Sequence, residues 1–158
     1  MGEELRWLEK IMLKIPGFKG YKQKELLRED DRLVRNHIHS ILKKCEEKLR
    51  LSMEDALSGN FPIPIDRLDK IIKRMNSLST RIRTAVAGYE GLFDRIKVKE
   101  EELGKILNLD KTLIEYAEEI ERLLEDKKEN LYDALVKTLD EIEDKLNERN
   151  NFWKIKEE

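Results

Sequence analysis

The sequence predicts an all-α protein, an elongated antiparallel bundle of three long helices with a short N-terminal helix, and three observations lead there. Gly (7) and Pro (3) are scarce, so most of the chain can run as uninterrupted helix. Apolar residues recur at three- and four-residue spacings over long stretches, the period of a helix with one buried face. Charged residues make up 42% of the chain against 39% hydrophobic, a balance that suits solvated helix faces around a core. With 158 residues the chain is expected to form one helical domain over 1–158.

Residues 3–15 read as a short amphipathic helix, with Leu5, Leu8, Ile11, Met12 and Ile15 on one stripe and Arg6, Lys10 and Lys14 around it. Pro16-Gly17-Phe18-Lys19-Gly20 ends it, because proline cannot continue the hydrogen-bond ladder and glycine admits backbone angles other residues avoid. The first long helix is expected over 21–57, where Leu27, Val34, Ile38, Ile41, Cys45, Leu49 and Met53 keep the helical period. Ser58 to Pro64 is the strongest punctuation: Gly59 suits a helix C-terminus, and Pro62 and Pro64 force extended backbone, so the chain reverses.

The second long helix, 66–95, carries the cleanest pattern. Leu68, Met75, Ile82, Tyr89 and Ile96 occupy one heptad position and Ile71, Leu78, Ala85 and Leu92 its partner, so every seam site is apolar and a coiled-coil-like contact follows. Gly88 and Gly91 lie inside it and cost about 1 kcal/mol each relative to Ala, which calls for a bend or a close helix approach there. Glu100-Glu101-Glu102 resembles the acidic first turn of a connector helix over 100–107, and Asn108-Leu109-Asp110 reads as a cap or bend. The third long helix is expected over 111–149, with Leu113, Ala117, Ile120, Leu124, Leu131, Leu135, Ile142 and Leu146 inward and a wetter seam at Lys127 and Lys128.

The formal net charge of −2 hides an uneven distribution. Residues 1–100 carry 22 Lys and Arg against 16 Asp and Glu, whereas residues 101–158 carry 10 against 18. The simplest arrangement folds the acidic C-terminal part against the basic remainder. The chain starts Met1-Gly2-Glu3-Glu4 without a signal-like apolar run, and no stretch approaches the ~18 apolar residues of a membrane span, so the expected location is cytoplasmic. Abundant Glu, Lys and Ile with few Gln fit a thermophilic source.

No reactive constellation emerges. A single cysteine excludes an intramolecular disulfide and a Cys-based zinc site, and Cys45 sits at an inward position. His37 and His39, two apart on a helix, diverge by about 200° and cannot share a metal. No Gly-rich phosphate loop or serine nucleophile motif is present, so no catalytic, cofactor-binding or metal-binding residues are expected and the chain reads as a non-enzyme. Three other features remain as binding candidates. Lys24, Arg28, Arg32, Arg35 and Lys43 form a basic row on the first long helix that suits an acidic partner or nucleic acid, or is paired internally. Trp7, Leu8, Ile11, Met12 and Ile15 form a face that either packs on the bundle end or touches a membrane surface. Gly88 and Gly91 could admit a partner helix. Asp30 falls within the inward arc, where an ion pair with Arg81 or Arg83 is expected to neutralise it.

The strings Pro16-Gly17-Phe18-Lys19-Gly20-Tyr21-Lys22-Gln23-Lys24-Glu25 and Gly88-Tyr89-Glu90-Gly91-Leu92-Phe93-Asp94, followed by Val98-Lys99-Glu100-Glu101-Glu102-Leu103, resemble segments of uncharacterised helical proteins of prokaryotes. The resemblance covers about a third of the chain and brings no activity with it. The expected function is therefore that of a helical interaction or scaffold protein, with a protein partner or a second copy as its ligand. Peripheral membrane binding and nucleic-acid binding stand as its competitors.

Overall fold

A tight turn pinned by one aspartate precedes the first long helix. The structure, a computed structural model, describes residues 2–84 and 100–155. Helix α1 spans Gly2–Lys14, and Gly17 (φ +89°), Gly20 (φ +68°) and Tyr21 (φ +61°) then take left-handed backbone. Gly20 is constrained twice, because a Cβ there would also meet Leu8 Cδ1 at 3.0 Å. These angles explain why the first long helix does not start at Tyr21: a 3-10 turn at Lys24–Leu26 intervenes, and α2 runs Leu27–Leu51. At Ser52 the side chain bonds back to the Lys48 carbonyl at 2.9 Å while its amide turns to Leu49, and this separates α2 from the short α3, Met53–Leu57.

Helix α3 closes in a Schellman arrangement. Gly59 (φ +78°) donates to Ala56 and Asn60 donates to the Asp55 carbonyl at 2.8 Å, after which the proline segment leads into α4, Ile65–Thr84. Residues 85–99, and with them Gly88 and Gly91, lie outside the described residues. Helix α5 spans Glu100–Asp126 and α6 spans Leu131–Ile155. The chain thus departs from expectation twice in its C-terminal part. The segment 100–107 is not a separate connector but the first turns of α5, and the bend expected at Asn108-Leu109-Asp110 is continuous helix. The helix expected over 111–149 is two helices, broken where Lys127 turns left-handed (φ +48°) and Asn130 accepts from the Ala134 amide to open α6. Asn130 with Asp133 in the following turn is a helix-start signal in a stretch that has no Gly or Pro.

The all-helical class therefore stands, with six α-helices and no strand among the described residues, while the three-long-helix arrangement gives way to four long helices. They form two antiparallel hairpins. In the first, Arg35, His39 and Lys43 of α2 meet Arg83, Ser79 and Asn76 of α4 in descending order. In the second, Tyr116 reaches Glu141 and Asp110 reaches Arg149. The hairpins then pack side by side, α2 against α5 and α4 against α6. Each of these cross-hairpin pairs runs in the same direction: Arg67 stacks over Tyr132 at 5.1 Å, Arg74 pairs with Asp140, and Arg81 reaches Asn147 at 3.0 Å. Helix α1 lies along α5, with Lys111 over the Trp7 ring at one end and Lys14 bound to Glu118 at 2.6 Å at the other.

The described members of the heptad seam, Leu68, Ile71, Met75, Leu78 and Ile82, are all buried within the chain. They join Val34, Ile38, Leu42 and Leu49 of α2 and Ile106, Ala117, Ile120, Leu135, Leu139 and Ile142 of the second hairpin in one core. Burying a Leu or Ile side chain stabilises by about 1.5–3 kcal/mol, so this shared core is what holds the two hairpins together. Three ion pairs between the basic and acidic parts of the chain, from Lys14, Arg74 and Arg81, are at least partly exposed and contribute little beyond orientation.

Candidate functional site

The end of the bundle near the start of α2 holds a buried ionic cluster. Arg149 of α6 is sealed from solvent, with Nε donating to Asp110 Oδ1 at 2.7 Å and Nη2 donating to the Tyr21 hydroxyl at 3.3 Å. The same guanidinium lies 2.5 Å from Asp31 Oδ1, an ion pair off the axis a hydrogen bond needs, while Arg35 takes the other oxygen of Asp31 at 2.8 Å. Tyr21 donates its hydroxyl to Asp110. One arginine therefore fastens the turn after α1, the second turn of α2, the body of α5 and the end of α6. Asp30 stands beside this cluster with its own task. Its two oxygens accept the backbone amides of Lys19 and Tyr21, both at 2.8 Å, and hold the left-handed turn in place.

Burial sets the electrostatics here. It raises the Asp110 carboxyl, against the restraining pull of Arg149 and the Tyr21 hydroxyl, and it raises Asp30 against its two amide donors. Burial and the Asp110 charge push the Tyr21 phenol well above its ordinary value. For Arg149, burial works against the charge, but Asp110, Asp31 and Tyr21 together overcome it, so the guanidinium stays ionised. Breaking such a buried pair from one side costs about 3–5 kcal/mol, because a desolvated charge is left behind. The geometry fits a fastener: each charged group is spent on another member of the cluster.

The residues marked in the sequence are dispersed among structural tasks. Asp30 meets neither Arg81 nor Arg83: Arg81 pairs with Glu143 on α6, and the Arg83 carbonyl accepts from Arg35. Within the basic row, Arg32 is bound to Glu29, Arg35 to Asp31, and Lys43 to Glu46 and Asn76. Arg28 is engaged as well, while Lys24 belongs to the 3-10 turn. The row is thus paired mainly along its own helix, and not with the last helix. Glu46 holds Lys43 at 2.7 Å and Arg50 at 3.2 Å; burial raises its carboxyl, and the two cations together bring it below the ordinary range. On α1 and just past its end, Leu8, Ile11 and Ile15 are buried and Trp7 packs beside them, so this face is used inside the molecule, with Met12 at its exposed margin. His39 bonds the Ser79 carbonyl at 2.9 Å, whereas His37 Nε2 is buried without a hydrogen-bond partner and its ring is held below its usual pKa by burial. Burial pushes the Cys45 thiol up to about 12, which keeps it protonated and unreactive.

The opposite end of the bundle looks different. A groove of about 230 Å³ opens between the end of α2 and the end of α5, lined by Leu49, Leu51, Phe61 and Leu124 with Lys48, Ser52 and Lys127 around them. Leu51 is 82% exposed and Leu57, on the neighbouring α3, is 70% exposed. Lys127 helps line the groove while holding left-handed backbone, a position where Gly or Asn would cost about 1 kcal/mol less. A second groove, about 380 Å³, lies along α5 and α6 beside Lys105, Thr112 and Lys145, and its Lys145 is already bound to Glu148 at 3.2 Å.

No family model, curated protein or solved structure matches the chain. Among the described residues no helix is long and apolar enough to cross a membrane, and no three His, Cys, Asp or Glu side chains converge to hold a metal ion.

Proposed function

We propose that the protein is a non-enzymatic helical interaction module that binds its partner at the α2–α3 end of the bundle. The observation that carries this reading is the contrast in exposure there. Most large apolar side chains are in the core; Met12 and Leu13 on α1 are exposed but line neither groove, whereas Leu51 and Leu57 stand in solvent at the end that carries an apolar groove flanked by lysines. A contiguous exposed apolar patch rimmed by polar groups is the mark of an interaction site. The competing readings have less to work with, because most of the basic row is already paired and the apolar face of α1 would have to leave the core to meet a bilayer.

A photo-crosslinking amino acid placed at position 57 tests the reading, with a second label at Lys137 on the exposed face of α6 as control. Position 57 is expected to give a discrete protein adduct and position 137 none. Equal labelling at both positions, or a metabolite that raises the melting temperature and is consumed, overturns it.

A further inference from the structure

The bundle end that carries the groove also carries an exposed segment of complementary character on α3. On α2, Lys48 and Leu51 are three residues apart and share a face, and with Phe61, Leu124 and Lys127 they make an apolar socket whose lining holds two lysines and no carboxylate. On α3, Glu54 and Leu57 are likewise three apart, with Asp55 beside them, and all three side chains are exposed. Neither Glu54 nor Asp55 takes an ion pair among the described residues, and the same is true of Lys48 and Lys127. The socket is apolar and basic, and the knob beside it is apolar and acidic.

We infer that the α2–α3 end is a self-association surface, in which Leu57 of one copy enters the Leu51, Phe61 and Leu124 groove of a second copy while Glu54 and Asp55 face Lys48 and Lys127. A two-fold contact requires one patch that is complementary to itself, and a socket and knob of opposite charge on the same end meet that requirement. The inference rests on the reading of the chain as an interaction module and names its partner. The strained Lys127 gains a role, since its left-handed turn helps frame the socket with a positive charge. The surface is small, so the dimer belongs to the weak class and dissociates on dilution, with salt weakening it further.

Sedimentation equilibrium of the full chain over micromolar to millimolar concentration tests this with two charge-reversed variants. Lys48→Glu with Lys127→Glu makes both socket and knob acidic, and Glu54→Lys with Asp55→Lys makes both basic. Each variant alone is expected to weaken dimerisation by about tenfold or more, and an equimolar mixture is expected to restore it, because each socket then meets a knob of opposite charge. All four substituted residues lie at the surface or groove rim, and an unchanged circular dichroism melt verifies folding. A wild-type chain that stays monomeric throughout overturns the inference, as does a dimer indifferent to both reversals or a mixture that fails to recover. A monomer whose position 57 still crosslinks a different protein overturns self-association while leaving the interaction module standing.

Discussion

The two ends of the bundle treat charge and apolar surface in opposite ways. At the end near the start of α2, Tyr21, Asp31, Asp110 and Arg149 are sealed from water and held to one another by hydrogen bonds and ion pairs. At the α2–α3 end, Leu51, Leu57 and two lysines stand in solvent around an open groove. The first arrangement is expensive to break from one side, because a buried charge that loses its partner has no water to replace it. The second costs little to alter, because its groups are already solvated. Under the binding proposed for the α2–α3 end, stability and binding are separated along the molecule, and each end can be tested on its own.

The contrast breaks most sharply at Arg149. Arg149→Leu leaves Asp110 and Asp31 facing an apolar side chain, and urea denaturation followed by circular dichroism is expected to show a loss of about 3–5 kcal/mol. A loss under about 1 kcal/mol would mean that the cluster is not the fastener its geometry suggests. Tyr21→Phe removes one donor from Asp110 and keeps the ring edge-on to Phe18, for an expected loss of about 1–3 kcal/mol in the same assay. At the other end the sign reverses: Lys127→Gly relieves left-handed strain and is expected to stabilise by about 0.5–1 kcal/mol, read as a higher urea midpoint. That variant also removes a socket charge, so it should weaken self-association while strengthening the fold.

A pH effect of smaller size belongs to the middle of the molecule. His37 is half-buried with an unpartnered Nε2, and burial lowers its pKa in the folded chain. As pH falls below about 6.5 the unfolded chain takes up this proton before the folded one does, so His37 makes the protein less stable, until the depressed folded value is passed. Asp30 and Asp110 act in the opposite direction at lower pH, because their raised carboxyls take protons first in the folded state. The difference between wild type and His37→Gln, measured at neutral pH and at pH just above the carboxylate range, isolates the histidine; a difference that does not change with pH contradicts its burial. The smallest change is expected for Leu51→Ser and Leu57→Ser, which should leave stability within about 0.5 kcal/mol while lowering association.

Much of the helical layout was legible in the chain. The heptad positions from Leu68 to Ile82 are buried as their spacing requires, and the cluster from Pro16 to Gly20 does end α1. The turn at Lys127 to Asn130 was harder to see, because it is made without Gly or Pro and its signal is an Asn cap in the midst of charged residues. The binding candidates fared differently. Arg32, Arg35 and Lys43 stood out as a row, but periodicity reports which residues share a helix face and not which neighbours neutralise them. Arg149 carried no signal at all, since a charged residue near a helix end looks like any solvated one.

By itself the sequence determined the all-helical class and its clearest breakers, because a helix is a local structure whose period, caps and breakers lie within a few residues of each other. It also determined which faces are apolar, and with them the existence of a single core. Tertiary structure alone decided that the last helix folds back as a hairpin beside the first, that Arg149 meets Asp31 and Tyr21 from the far end of the chain, and that Leu51 and Leu57 are left outside. The reason is that a buried ion pair and an exposed leucine are defined by which surfaces meet in space. A chain's local pattern records the surfaces but not their meeting.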